Sequence, residues 1–382
     1  MRLCCSRLLS RYPITKYTSA SRSRSSIANV MGPIKLAILD DYQNVAAPKF
    51  AALVRAGKVE VTTFPQTLDI RIPGEKEAQI QRLRPFEIVS TMRERSVFDA
   101  EVIASLPRLK LLLTTGVKNA ALDVAAATKH GVTVAGTTGG AAAPAGPDST
   151  TQHNWALILG LARHVARDDA SVKAGAWQGA TLATDLAGKT LGLVGLGRLG
   201  SATARIAVLA FGLKIIAWST SLTQERADQT VQELGLPAGS ITVVSSKRDL
   251  FRHADIISVH YVLSDRSRGI VGKEELAAMK PSALLVNTSR GPLVDEAALL
   301  ETLQAGKIRG AALDVYEKEP LPADSVWRTT PWGKDGRSEV LLSPHMGYGS
   351  HENIDRWYDQ TVQNVERYVE GKGVERVFTS PA

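Results

Sequence analysis

Three glycines in one short stretch carry the most specific chemistry in the sequence. The segment Lys189-Thr-Leu-Gly-Leu-Val-Gly-Leu-Gly-Arg-Leu-Gly200 sets Gly195, Gly197 and Gly200 in a G-x-G-x-x-G spacing, directly after an apolar strand-like run and directly before a helical one. In that setting the first glycine permits a tight turn, the second lets backbone approach a pyrophosphate, and the third lets helix and strand pack closely. The helix start then turns free N–H groups and a partial positive charge toward the phosphates. Arg198 and Leu199, inside the loop, complete this phosphate-binding set. The spacing predicts a dinucleotide site. Where the second strand of such a unit ends, an Asp or Glu ordinarily holds the adenosine ribose hydroxyls. Here the position is Ser219, followed by Thr220, Ser221 and Thr223. Serine does not repel a 2′-phosphate as a carboxylate would. Ser219 and Thr220 therefore lean the choice between NAD(H) and NADP(H) toward NADP(H), although no arginine stands in that stretch.

A loop of this kind needs a parallel sheet to present it, and the chain supplies the alternation for two. From Ile34 onward short β-rich runs alternate with helical ones, the pattern of parallel sheets with crossover helices. Ile34–Asp40, Val59–Phe64, Glu87–Met92, Leu109–Thr115 and Val132–Thr137 read as the strands of a first α/β domain. The Gly/Ala/Thr/Pro stretch Gly136–Pro147 reads as a loop and a possible hinge, and Ser149–Gly175 as one long amphipathic helix. A second series runs from Thr190–Val194 through Lys214–Trp218, Ile241–Val244, Ile256–His260, Ala283–Asn287 and Ala311–Val315 to Val340–Leu342. A last helix spans about Glu352–Val369. The fold class is thus α/β, with two Rossmann-like or flavodoxin-like domains built on doubly wound parallel sheets.

Composition narrows the function classes. The chain has 382 residues, long enough for two domains with their own cores, and only two cysteines, Cys4 and Cys5, so disulfide frameworks and thiolate metal sites are excluded and no metal centre is expected. No apolar run of about 18 residues stands ready to span a bilayer, so no membrane is expected as partner. The net charge of +8 is not a nucleic-acid signal, because six of those charges, Arg2, Arg7, Arg11, Lys16, Arg22 and Arg24, lie in an acid-free, Ser-rich leader. The body is nearly neutral. An Arg- and Ser-rich, acid-poor leader has the composition of a mitochondrial transit peptide; translation from Met31 would instead give a cytoplasmic chain.

Three further segments fall into one pattern. Val286-Asn-Thr-Ser-Arg-Gly-Pro-Leu-Val-Asp-Glu296, Gly310-Ala-Ala-Leu-Asp-Val-Tyr-Glu-Lys-Glu-Pro-Leu321 and Leu342-Ser-Pro-His-Met-Gly347 resemble, in order, the signature regions of the D-isomer-specific 2-hydroxyacid dehydrogenases, and the resemblance runs from about Ile34 to Val377 with the glycine loop included. It implies an NAD(P)-dependent oxidoreductase in which the family's arginine falls on Arg290, its glutamate on Glu319 and its histidine on His345. The residue types suit that reaction. A 2-oxo acid presents a carboxylate beside a carbonyl, and Arg290 offers a planar fork of donors that can anchor both. Charge growing on the carbonyl oxygen as hydride arrives must be met by a proton, and histidine both gives and takes one near neutrality. Glu319 beside the imidazole would favour its protonated form and fix its orientation.

The resemblance also implies cofactor contacts at His260, Thr288 and Asp314, and substrate contacts at Arg93 and at the backbone of Gly116 and Val117. It makes the substrate domain discontinuous: 1–31 a basic extension, 32–150 with 346–382 the substrate domain, and 151–345 an inserted NAD(P)-binding domain. By the same analogy the chain forms a homodimer. Two places depart from the pattern: Thr151-Gln152-His153 replaces a common Ala-Glu-His, and a longer segment, Asp324–Glu339, carries Trp327 and Trp332. The remaining histidines read mostly as surface or packing residues. The favoured substrates are small 2-oxo or 2-hydroxy acids of the glyoxylate, hydroxypyruvate or glycerate type. Phosphoglycerate oxidation, a specialised-pathway 2-oxo acid reductase and a dinucleotide-sensing co-repressor are the competing readings.

Overall fold

The computed structural model describes residues 32–138, 146–179 and 181–379; the basic extension and residues 139–145 of the expected hinge lie outside these. The described residues fall into two compact units, one drawn from Met1–Ala142 and His351–Ala382, the other from Ala143–Ser350. The sequence suggested partings at 150/151 and 345/346. The observed ones keep a whole helix and the loop that follows His345 with the second unit.

The first unit alternates β1 (Ile34–Leu39), α1 (Ala51–Arg55), β2 (Val59–Phe64), α2 (Glu75–Leu83), β3 (Ile88–Thr91), α3 (Ala100–Ala104), β4 (Leu111–Thr114), α4 (Val124–Lys129) and β5 (Thr133–Ala135). Its sheet has the order β2-β1-β3-β4-β5 with every pair parallel, the flavodoxin-like winding. β3 and β4 are buried at every position, as strands covered on both faces must be. One face packs Ala37, Leu39, Val89, Leu112 and Val134 against Phe98, Val102 and Ile103. Asp99 and Asp123 start α3 and α4 by accepting from the N–H groups of Val102 and Ala126, caps worth about 1 kcal/mol each.

The second unit runs α5 (Ser149–Ala162), α6 (Val165–Lys173), β6 (Thr190–Val194), α7 (Arg198–Phe211), β7 (Lys214–Trp218), α8 (Gln224–Glu233), β8 (Ile241–Val243), α9 (Lys247–His253), β9 (Ile256–Val259), α10 (Lys273–Ala278), β10 (Leu284–Asn287), α11 (Glu296–Gln304), β11 (Gly310–Leu313), α12 (Val326–Thr329) and β12 (Glu339–Leu342). The order is β12-β11-β10-β9-β6-β7-β8, all parallel, so the winding reverses between β6 and β9. Successive strand residues face opposite layers. Ile257 and Leu285 point to the side of Leu250, Leu276 and Leu299, whereas Ile256, Leu284 and Val286 point to that of Ile158, Leu161, Ala204 and Val231.

The chain then returns to the first unit as α13 (His351–Val369), whose buried Trp357, Tyr358, Thr361, Asn364 and Val365 recur at helical spacing. Beyond it Val377 bridges Ala135 antiparallel, and Phe378 donates its N–H to Val134 O at 2.8 Å, covering the outer edge of β5.

One expectation needs correction. The single helix expected over Ser149–Gly175 is two, broken at His164, which takes a left-handed φ of 58°. Its buried ring holds this conformation from outside the helix, with Nδ1 2.7 Å from Glu339 Oε2 and Nε2 2.8 Å from Arg309 Nη2. His164 therefore ties α5 to the starts of β11 and β12, a role beyond simple packing. In the Asp324–Glu339 segment Trp327 enters the core of the second unit, with Trp332 donating Nε1–H to Trp327 O at 2.9 Å.

Candidate active site

In the second unit the sequence-predicted residues gather along one edge of the sheet. Gly195 follows β6, Ser219 follows β7, His260 follows β9, Arg290 follows β10, Asp314 and Glu319 follow β11, and His345 follows β12. Because all seven strands are parallel, these positions share the carboxyl end, where open α/β sheets bind their ligands.

The glycine loop has the shape a pyrophosphate requires. Gly195 has φ +102°, and a Cβ there would lie 2.8 Å from His260 O; a Cβ on Gly200 would lie 2.3 Å from Gly195 O, so both positions exclude any side chain. A Cβ on Gly197, in contrast, would meet nothing within 4 Å, so the loop opens outward at the middle glycine. Gly197 caps α7 without any side-chain bond, which leaves the first turn of a 14-residue helix to an external acceptor. These features fit a dinucleotide. Leu199 is half-buried, and Arg198 is exposed and ion-paired with Asp148, the cap of α5. At the ribose end Thr220 donates its N–H to Tyr261 Oη at 3.3 Å, and its Oγ1 lies 2.9 Å from the same oxygen. The Tyr261 ring stacks on Trp218 at 6.3 Å with an interplanar angle of 18°.

His260 is joined to a buried polar chain. Ser258 Oγ and Thr288 Oγ1 both donate to Asn154 Oδ1 at 3.1 Å, so the His260 Nε2, 2.9 Å from Ser258 Oγ, must carry the proton of that bond. Its Nδ1 is then a bare acceptor, buried and without a hydrogen-bond partner among the described residues. Burial pushes the imidazole pKa down to about 4, so the ring is neutral at pH 7. Thr288 turns its hydroxyl into this chain, toward α5.

The Glu319–His345 pair is set by the ends of β11 and β12. His345 Nδ1 lies 2.5 Å from Glu319 Oε2, and Tyr316 N–H donates to Glu319 Oε1 at 2.9 Å, so the carboxylate is fixed at both oxygens. Glu319 thus takes the Nδ1 side of the ring. His345 has φ 56° and Tyr348 meets its ring edge-on, with centroids 5.9 Å apart. A histidine in the left-handed region persists only where its surroundings impose it. Asp314 does so here. Its Oδ1 accepts from Met346 N at 2.8 Å, Ser343 Oγ at 2.6 Å and His153 Nε2 at 3.1 Å, and its Oδ2 accepts from Gly347 N at 2.9 Å. Burial opposes ionisation of this 1% exposed carboxyl, yet the bonds from His153 and Ser343 prevail and hold its pKa below the ordinary value. Beside the cofactor contact expected of it from sequence, Asp314 clamps the backbone flanking His345.

Arg290 is carried on a tight loop. Asn287 Nδ2 donates to Arg290 O at 3.0 Å, and Arg290 Nη1 donates to Ser289 O at 2.8 Å. A Cβ on Gly291 would fall 2.0 Å from the Tyr316 carbonyl, so only glycine lets this loop rest on the chain leading to Glu319.

The first unit holds its own candidates together. Arg93, at φ 52° after β3, receives Asn119 Nδ2 on its carbonyl at 2.6 Å, and its guanidinium lies over the Trp357 ring at 5.9 Å and against Gly116. Its side chain is 19% exposed, far from a solvated surface arginine. Gly116 N–H donates to Thr137 Oγ1 at 2.7 Å, so of the two backbone groups expected to meet a carboxylate, that of Gly116 is already engaged. Val117, next in the chain, is exposed.

His153, Asn154, Ser258, Ser343 and Tyr261 were not singled out as site residues from sequence. The only trace was the Thr151-Gln152-His153 departure, which marked the α5 turn that reaches Asp314 and Ser343.

The family profile described as D-isomer specific 2-hydroxyacid dehydrogenase, NAD binding domain, matches residues 155–347. The chain is 36% identical over 285 residues to a D-3-phosphoglycerate dehydrogenase of Mycobacterium leprae, covering 74% of this chain and 49% of that one, so it spans about half of that relative. It is 33% identical over 308 residues to a glyoxylate reductase of Aeropyrum pernix, covering 78% of this chain and 85% of that one. Among solved structures it is similar to a phosphoglycerate oxidoreductase of Vibrio cholerae, with TM-score 0.76 and 35% identity over 88% of this chain and 99% of that one.

Proposed function

The chain belongs to the D-isomer-specific 2-hydroxyacid dehydrogenases, and from that premise we propose that it interconverts a small D-2-hydroxy acid and its 2-oxo acid with a nicotinamide dinucleotide. The observation that carries this reading is the Glu319–His345 pair, held by the Asp314 clamp on the same sheet edge as Arg290 and the glycine loop. The bound dinucleotide supplies or accepts the hydride at C2. Arg290 anchors the substrate carboxylate and polarises the carbonyl. In reduction His345 Nε2 gives its proton to the carbonyl oxygen while Nδ1–H stays on Glu319; in oxidation Nε2 takes the hydroxyl proton. Arg93 and the Val117 backbone, with the Gly116 turn behind them, are the substrate contacts proposed from the first unit.

Glyoxylate, hydroxypyruvate or glycerate are the substrates this reading favours, with relatives named as glyoxylate reductases in support. For the cofactor, the absence of a carboxylate at Ser219 supports NADP(H) over NAD(H). A homodimer has its support in the second unit: α6 buries no residue, and Val165, Val172, Trp177 and Leu182 are exposed along one segment, an apolar arm that light scattering after gel filtration would test. The leader is assigned to mitochondrial targeting, which import of a fusion carrying residues 1–31 would test.

The decisive experiment is a spectrophotometric panel of glyoxylate, hydroxypyruvate, pyruvate and 3-phosphohydroxypyruvate with NADH and with NADPH, run on the protein and on His345→Gln. Turnover on one acid should fall about 10²–10⁴-fold in the variant with dinucleotide affinity retained. Equal turnover in both would remove His345 from the mechanism, and no turnover with any acid would remove the reaction.

A further inference from the structure

We infer that Tyr261 sets the limit on 2′-phosphate affinity in this protein, by taking up the donors of Thr220 that a phosphorylated ribose would need. The inference rests on the dinucleotide reading and concerns its ribose end. Ser219 stands where the ribose-binding carboxylate would be, and its neighbour Thr220 offers a backbone N–H and a hydroxyl at the end of β7. Such a pair of donors suits a dianionic phosphate. In this structure both are turned to one phenol oxygen, at 3.3 and 2.9 Å. Whichever hydroxyl donates between Thr220 and Tyr261, only one hydroxyl hydrogen is left to point outward, and the N–H is spent. One donor meets the needs of a ribose diol, which brings donors of its own. A 2′-phosphate brings none at neutral pH beyond its second proton and loses most by the arrangement.

Lys247 does not compensate. The Lys247 ammonium lies over the Trp218 ring at 5.8 Å but donates to Ile270 O at 2.7 Å and pairs with Glu275 at 3.2 Å. The Tyr261 ring is kept in place by Trp218, so loss of the hydroxyl alone should free Thr220 while the stack remains.

The test compares the full chain with Tyr261→Phe, using calorimetric binding of adenosine 2′,5′-bisphosphate and of 5′-AMP, with NADPH and NADH fluorescence titrations beside them. The phenylalanine variant should bind the bisphosphate and NADPH about 3–10-fold tighter while 5′-AMP and NADH change less than about twofold, the size of one or two freed hydrogen bonds. In a Thr220→Ala background the same substitution should gain clearly less, because the hydroxyl it would free is absent. Equal gains for both nucleotides, or none, would overturn the inference while leaving the dinucleotide site standing. Failure of the unaltered protein to bind any of the four would overturn the dinucleotide reading and this inference with it.

Discussion

Replacing Asp314 by Asn tests whether the clamp positions His345, the proposed acid and base. The substitution keeps shape and one acceptor. If the amide oxygen stays with Met346 N, Ser343 Oγ and His153 Nε2, the amide nitrogen must face Gly347 N–H across the space of a 2.9 Å bond, donor against donor. One charge-assisted bond is then lost with its N–H left buried, about 1.5–3 kcal/mol, and the other three fall from charged to neutral strength at about 1 kcal/mol each. With partial relaxation the expected loss of stability is about 3–5 kcal/mol, read as a lower urea midpoint at pH 7. His345 sits one residue before Met346 at φ 56°, so loosening that backbone should also cost turnover, about 10–100-fold in kcat, with NADH affinity changed far less. A contact role with the cofactor would reverse that division, weakening NADH binding first. An Asn variant with the parental urea midpoint and the parental kcat would refute the clamp.

Gly291→Ala should behave as a packing fault placed beside the site: a Cβ 2.0 Å from the Tyr316 carbonyl must move one loop or the other, costing at least about 1–3 kcal/mol and raising KM for the oxo acid through Arg290. Thermal unfolding and initial rates check both parts. His260 makes the pH dependence specific. Its folded pKa of about 4 lies below the ordinary 6.5, so on acidification the unfolded chain takes up a proton first and stability falls between those values. Between pH 7 and 5 this contributes up to about 2 kcal/mol. His260→Gln should lack that part of the decline, and identical pH slopes in urea unfolding for the two proteins would remove His260 as its source.

The fold class and the residues of greatest chemical character were legible because their signals are local. Gly195, Gly197 and Gly200 announce themselves through the strand and helix on either side, and alternation of apolar runs marks each βα unit. What sequence left obscure depends on strand order. His153, Asp314, Ser343 and Met346 become neighbours only because β11 and β12 lie side by side and α5 crosses them, so the clamp has no spacing of its own. The same is true of Tyr261, which reaches Thr220 only because β7 and β9 flank β6. His164 failed as a helix residue for a like reason: its left-handed turn follows from Glu339 and Arg309, far along the chain.

The return of the chain to its first unit has a consequence for the order of assembly. β1 to β5 leave the ribosome first, yet α13 and the Val377–Phe378 segment that closes the edge of β5 come only after Ala143–Ser350 has been made. At about 5–20 residues per second, that leaves the first sheet without its final helix and with a bare strand edge for roughly 10–40 s. The second unit is contiguous and can complete its sheet in that interval. The part of the protein that begins translation is therefore the last to be sealed, and its exposed edge makes the unfinished chain most vulnerable to association before its C-terminal helix arrives.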